Sequence, residues 1–128
     1  MPANTLNKAE KLKSRKAIES LFRSGNTFSS PPFRLLYRKV EPTDVPARMT
    51  VAVPKKLIKR AVDRNLVKRR TREAYRMNKH ALHILLTEKK LCFEILFLYQ
   101  AAEISDFRTI NKAVNILLIR LLQASERD

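Results

Sequence analysis

Apolar positions recur along this chain with two different periods, and the changes of period mark its elements. Ala17, Ile18, Leu21 and Phe22 fall at helical spacing, which gives residues 15–24 one apolar face. Ser14 is placed to cap that helix, and Gly25, the only glycine of the chain, to end it in the left-handed conformation. Arg15, Glu19 and Arg23 stand four apart on its outer side. Residues 26–32 read as loop, because Pro31 and Pro32 stop any helix. From Phe33 to Val40 the period shortens to two: Phe33, Leu35 and Tyr37 share one face, Arg34, Leu36 and Arg38 the other. Arg48 to Val53 alternates likewise, and the brief turn at 41–46 predicts that the two strands pair antiparallel.

Pro54 ends the second strand. A long helix is predicted over 60–87, with Val67, Thr71, Ala74, Ala81 and Leu85 inward and Tyr75 and Leu82 widening that side. Leu91 to Tyr99 is apolar on both faces, the pattern of a central strand covered on both sides. Ser105 or Asp106 caps a last helix in which Phe107, Ile110, Val114, Leu117 and Leu121 recur. The order α-β-β-α-β-α fits an α/β or α+β build. Residues 1–128 form a single domain, with 1–12 expected to be flexible and 124–128 a frayed tail.

Charge changes this picture more than composition does. Of 128 residues, 45% are hydrophobic, too many for a disordered basic tail. The apolar stretch 116–122 contains Arg120 and is far too short to span a membrane, and the N-terminus has no signal-peptide core, so a cytoplasmic protein is expected. The lone Cys92 fits a reducing compartment and a buried, inert thiol. Lys and Arg total 27 against 12 acidic residues, a net +15. Residues 55–79 hold 11 basic and two acidic groups, whereas residues 80–128 hold six of each.

Within that block Arg64, Lys68, Arg72 and Arg76 are spaced by four, with Asn65 and Arg69 beside them. Like charges at this spacing repel by a few tenths of a kcal/mol per pair. A polyanion would offset that repulsion, and the row extends about 18 Å along a helix, enough to meet several phosphates. Ile18 and Phe22, with Phe33, Leu35 and Tyr37, would frame an apolar and aromatic cleft suited to unstacked bases; the same residues equally suit a core. Other chemistries find little support. His80 and His83 lack further ligands for zinc, no phosphate loop is possible with one glycine, and the acids form no catalytic pair. No catalytic and no metal-binding residue is expected.

The run from Ala61 to Arg76, with Arg64-Asn65, Lys68-Arg69 and Arg72-Glu73, preceded by Val53-Pro54-Lys55-Lys56, resembles the signature of the bacterial ribonuclease P protein family. Leu12–Gly25 resembles that family's first helix, Phe33–Tyr37 its first strand, Arg48–Lys56 the strand entering the signature, and Cys92–Leu122 the closing strand and helix. The resemblance implies a two-layer sandwich, ribosomal protein S5 domain 2-like, with a sheet of about four strands and an unusual left-handed β-α-β crossover. It implies a subunit that binds a catalytic RNA and the 5′ leader of precursor tRNA, supporting removal of the leader. The chemistry then belongs to the RNA and its Mg2+, with no membrane and no DNA partner. Lys55, Lys56, Arg60, Arg64, Asn65, Lys68, Arg69, Arg72 and Arg76 would meet the catalytic RNA. Ile18, Phe22, Phe33, Leu36 and Tyr37 would line the leader cleft. Leu66 stands where the family most often has a basic residue, Thr50 where it has glycine, Pro54 where it has a small polar residue, and Ile18 where phenylalanine is common. The alternative is a structural RNA-binding protein, such as a ribosomal protein.

Overall fold

A computed structural model describes residues 8–127. Four helices, α1 (Arg15–Ser24), α2 (Ala61–Asn78), α3 (His80–Lys89) and α4 (Phe107–Glu126), pack on a sheet of β1 (Asn26–Ser30), β2 (Phe33–Val40), β3 (Ala47–Ala52) and β4 (Cys92–Tyr99). The spatial order is β1-β2-β4-β3. β4 is antiparallel to β2 and parallel to β3, and α2 with α3 forms the crossover that a parallel pair requires.

The expected pairing of β2 with β3 is therefore corrected, since β4 lies between them. Short connections favour sequential pairing, but the strand with apolar residues on both faces gains most from the interior place. Phe93, Ile95, Phe97 and Tyr99 point to one side, where Phe33, Leu35, Met49 and Val51 meet Val67, Tyr75, Leu82, Leu86 and the apolar stripe of α4. On the other side Leu96 joins Leu36, Leu12, Ala17 and Leu21, with α1 as the only covering helix among the described residues. One sheet face is thus closed. The other is only partly roofed by a ten-residue helix.

Several local expectations change. Residues 26–30, read as loop, form strand β1, which turns through Pro31-Pro32 to pair with β2. The long helix is two: the Asn78 amide donates to the Ala74 carbonyl at 2.7 Å and to Asn111 Oδ1 at 2.8 Å, competing with helix continuation. Leu86 replaces Leu85 as the fully buried residue, and Ala81 is exposed. Ser14 caps α1 as expected, accepting from the Ala17 N–H at 3.2 Å. Gly25, however, is extended (φ −71°, ψ 151°), not left-handed. Glycine is required there because a Cβ would sit 2.6 Å from the Leu21 carbonyl oxygen.

The expected flexible stretch 1–12 and frayed tail 124–128 are corrected where they are described. Lys8–Glu10 is a 3-10 turn, Glu10 and Leu12 are buried, and the Leu12 N–H donates to the Met49 carbonyl at 2.8 Å. The segment so covers part of the edge of β3. Helix α4 continues to Glu126 with Ser125 fully buried; residues 1–7 and 128 lie outside the described residues.

Candidate nucleic-acid interface

Helix α2 takes its orientation from its apolar residues. Val67, Thr71, Ala74 and Tyr75 are buried, and at about 100° per residue this fixes the opposite arc of the helix toward solvent. Asn65, Arg69 and Arg72 lie exposed on that arc, with Lys68 and Arg76 half-buried at its side. No acid pairs with Lys68, Arg69 or Arg72 among the described residues, whereas Arg76 bonds Glu73. The Arg64 guanidinium turns back to donate to the carbonyls of Ile58 (3.0 Å) and Lys59 (2.8 Å), bracing the loop that enters the helix. Arg60 is exposed and 3.7 Å from Asp63. Lys55 and Lys56 are exposed in the turn after Pro54, which the N–H groups of Leu57 and Ile58 close by donating to the Pro54 carbonyl. The nine basic-block positions singled out in the sequence thus lie on α2 or on the loop that leads into it. Lys68, Arg69 and Arg72 thus face outward without an acidic partner among the described residues, while Arg64 and Arg76, the ends of the row, are engaged within the chain.

Leu66 is half-buried on the side of α2 away from this row. One turn on, Arg70 reaches across to donate to the Ser105 carbonyl at 2.7 Å, ahead of α4. Ser105 is in turn held by Tyr99, whose hydroxyl accepts from the Ser105 N–H at 2.9 Å and donates to the Glu103 carbonyl at 2.6 Å. These bonds fix the loop between β4 and α4.

The aromatic cleft differs from expectation. Phe33 is 1% exposed and packs edge-on against Phe97 and Tyr99, while Tyr37 stacks on Phe28 and tilts against Phe93. Both belong to the sheet face opposite α1, because alternate residues of β2 point opposite ways. They cannot share one cleft with α1. Leu36 is on the α1 side but buried beneath the helix, and Ile18 packs at the margin of the same cluster. Of the five, Phe22 alone is widely open, at 51% exposure.

Around Phe22 there is nevertheless a cavity of about 610 Å³, floored by Ala52 and Leu98 and bounded by Pro54, Lys56, Leu57 and Gln100. Ala52 and Leu98 are register partners, so the ends of β3 and β4 make its floor. Lys56 connects it to the cationic loop and helix. The signal for Leu98 was present in the alternation of β4; nothing local in the sequence singled out Ala52, Leu57 or Gln100.

His83 lies against Tyr75, its Nε2 2.7 Å from the phenolic oxygen and its Nδ1 3.7 Å from Glu10. Burial, reinforced by the Lys79 ammonium, lowers its pKa to about 4, and burial together with Glu10 pushes the Tyr75 phenol upward. A neutral imidazole protonated on Nδ1 therefore accepts from the Tyr75 hydroxyl and faces the carboxylate. Glu10 also bonds Lys79 at 2.6 Å in a fully buried ion pair. Cys92 is buried, its sulfur accepting from the Thr43 N–H at 3.2 Å. Among the described residues no group of three or more His, Cys, Asp or Glu is placed to hold a metal ion, and no helix is long and apolar enough to cross a membrane.

Residues 6–122 match the family model described as Ribonuclease P. The ribonuclease P protein component of Porphyromonas gingivalis is 41% identical over 121 residues, covering 94% of this chain and 88% of the relative. The solved ribonuclease P protein of Thermotoga maritima superposes with a TM-score of 0.69 at 27% identity, covering 87% of this chain and 96% of that one. The Staphylococcus aureus ribonuclease P protein shares the fold, with a TM-score of 0.71 at 22% identity over 89% of this chain and 96% of that one.

Proposed function

The chain belongs to the ribonuclease P protein family, the protein subunits of the ribonucleoprotein that matures tRNA 5′ ends, and from that premise we propose how its two surfaces are used. The cationic side of α2, with Lys55, Lys56 and Arg60 ahead of it, lies against the catalytic RNA. The cavity at Phe22 takes the single-stranded 5′ leader of precursor tRNA. Bond cleavage is assigned to the RNA with Mg2+, and the protein contributes charge neutralisation and a second grip on the substrate.

The observation that supports this reading is the continuity of the two surfaces. Lys68, Arg69 and Arg72 present charge with no acidic partner among the described residues, and Lys56 joins that charge to an apolar cavity carrying an exposed aromatic ring. Guanidinium and ammonium groups meet phosphates, and each neutralised phosphate releases counterions. Phe22 offers a stacking face to an unpaired base. A structural RNA-binding role, such as that of a ribosomal protein, is not favoured beside a family match over nearly the whole chain.

The test is reconstitution with the cognate catalytic RNA and a precursor tRNA at low Mg2+. Stimulated 5′ cleavage is the expected result. Tight RNA binding without any effect on cleavage would refute it.

A further inference from the structure

At the same end of the sheet, around the corner from the Phe22 cavity, lies a second one of about 470 Å³, within the range of small-ligand sites. Pro31, Pro32 and Ala101 form its apolar walls, and Ser29, Gln100 and Thr109 supply its polar groups. Gln100 lines both cavities. Its position is fixed by its backbone N–H, which donates to the Pro32 carbonyl at 2.8 Å, while its side chain is exposed. The wall formed by residues 100–105 is pinned by Tyr99 and by Arg70.

The electrostatics of this cavity differ from those of α2. Arg70 and Arg120 flank it, donating to the carbonyls of the lining residues Ser105 and Ser29 at 2.7 and 2.8 Å. Asp106 caps α4 beside the lining residue Thr109, accepting from its N–H at 2.8 Å. A carboxylate next to the lining residue Thr109 disfavours a phosphate inside, and the two guanidinium groups favour phosphates outside. The lining residues themselves carry no charge, the walls at Pro31, Pro32, Phe33 and Ala101 are apolar, and an amide can pair with a base edge.

We propose that this cavity is a second base subsite, which takes a leader base beyond the one held at Phe22, and that Gln100 is the residue that reads it. The inference rests on the leader reading of the Phe22 cavity, and its test separates the two.

Reconstituted holoenzyme would be titrated with precursor tRNAs whose leaders grow one nucleotide at a time, and with all four bases at each added position. Wild type, Gln100→Ala and Phe22→Ala would be compared. Wild-type affinity is expected to rise in steps, and Gln100→Ala to lose only a late step, by about threefold to tenfold, the size of one hydrogen bond. The base preference at that one position should vanish with it. Equal loss at all leader lengths, or no loss at any, would overturn the second subsite while leaving the Phe22 steps intact. Affinity independent of leader length in wild type would overturn both readings. Gln100 is exposed, so misfolding does not confound the variant.

Discussion

Replacing Lys79 with methionine asks whether the N-terminal segment is part of the fold or only resting on it. The Lys79 and Glu10 side chains are 4% and 6% exposed, with Nζ and Oε1 2.6 Å apart. Without the ammonium, the carboxylate faces a neutral His83 imidazole 3.7 Å away, a weak substitute. Breaking one side of a buried pair costs about 3–5 kcal/mol, against a total stability of about 5–15 kcal/mol. With a urea slope of about 2 kcal/mol per molar, the unfolding midpoint should fall by about 2 M. The double variant Glu10→Met with Lys79→Met removes both desolvation costs and should recover most of the loss. A single variant within about 0.5 M of wild type, or a double variant no better than the single, would refute the reasoning.

Arg69→Ala and Arg72→Ala should each reduce the slope of log affinity for the catalytic RNA against log salt by about 0.7–0.9; filter binding across a salt series with unchanged slopes would show that these groups meet no phosphate. Phe22→Ala should weaken precursor tRNA by about 1–3 kcal/mol and mature tRNA hardly at all, and equal losses in the same binding assay would place Phe22 in the core instead. His83 is neutral when folded and titrates near pH 4, but near 6.5 when unfolded. The unfolded chain thus binds the extra proton, and about 3 kcal/mol of stability should be lost as the pH falls from 6.5 to 4; a His83→Gln variant with the same pH dependence of melting would contradict this. Gly25→Ala should cost about 1–3 kcal/mol by denaturant titration, because the atom its methyl meets is the backbone oxygen of Leu21, and a neutral substitution would show that α1 can shift.

The N-caps of α1 and α4 were legible in the sequence because they depend on neighbours along the chain: Ser14 and Asp106 hold those positions, and the Arg64–Arg76 row follows from a spacing of four, whereas the break at Asn78 and the extended Gly25 were not legible. The resemblance of the central signature carried the assignment of family. What failed depends on contacts far apart in sequence. Strand β1 has almost no apolar face of its own and forms because β2 offers it an edge. The place of β4 between β2 and β3 reflects burial over the whole sheet. Phe33 and Tyr37 are aromatic like Phe22, but their alternation with Leu36 sets them on the sheet face away from α1. Lys79 and Glu10 lie 69 residues apart, and no local pattern joins them.

That same place of β4 explains how a cationic helix and an apolar cavity come to share one surface. Parallel pairing sends the C-terminal ends of β3 and β4 to the same edge, with Ala52 beside Leu98. Everything that leaves the sheet there must start from that edge: the Pro54–Arg60 loop into α2 on one side, the Gln100–Ser105 loop into α4 on the other. Had β3 paired antiparallel with β2, as its short connection invites, it would have left by the same edge; it is the order β2-β4-β3 that sets Ala52 directly beside Leu98. The repulsion within the α2 row costs only a few tenths of a kcal/mol per pair, while Val67, Thr71, Ala74 and Tyr75 bury the opposite side of the helix completely. Core packing therefore holds Lys68, Arg69 and Arg72 at the surface with no acidic partner among the described residues, as the proposed contact with RNA requires. Because α1 is too short to cover the strand ends, the apolar floor beside that charge also stays open.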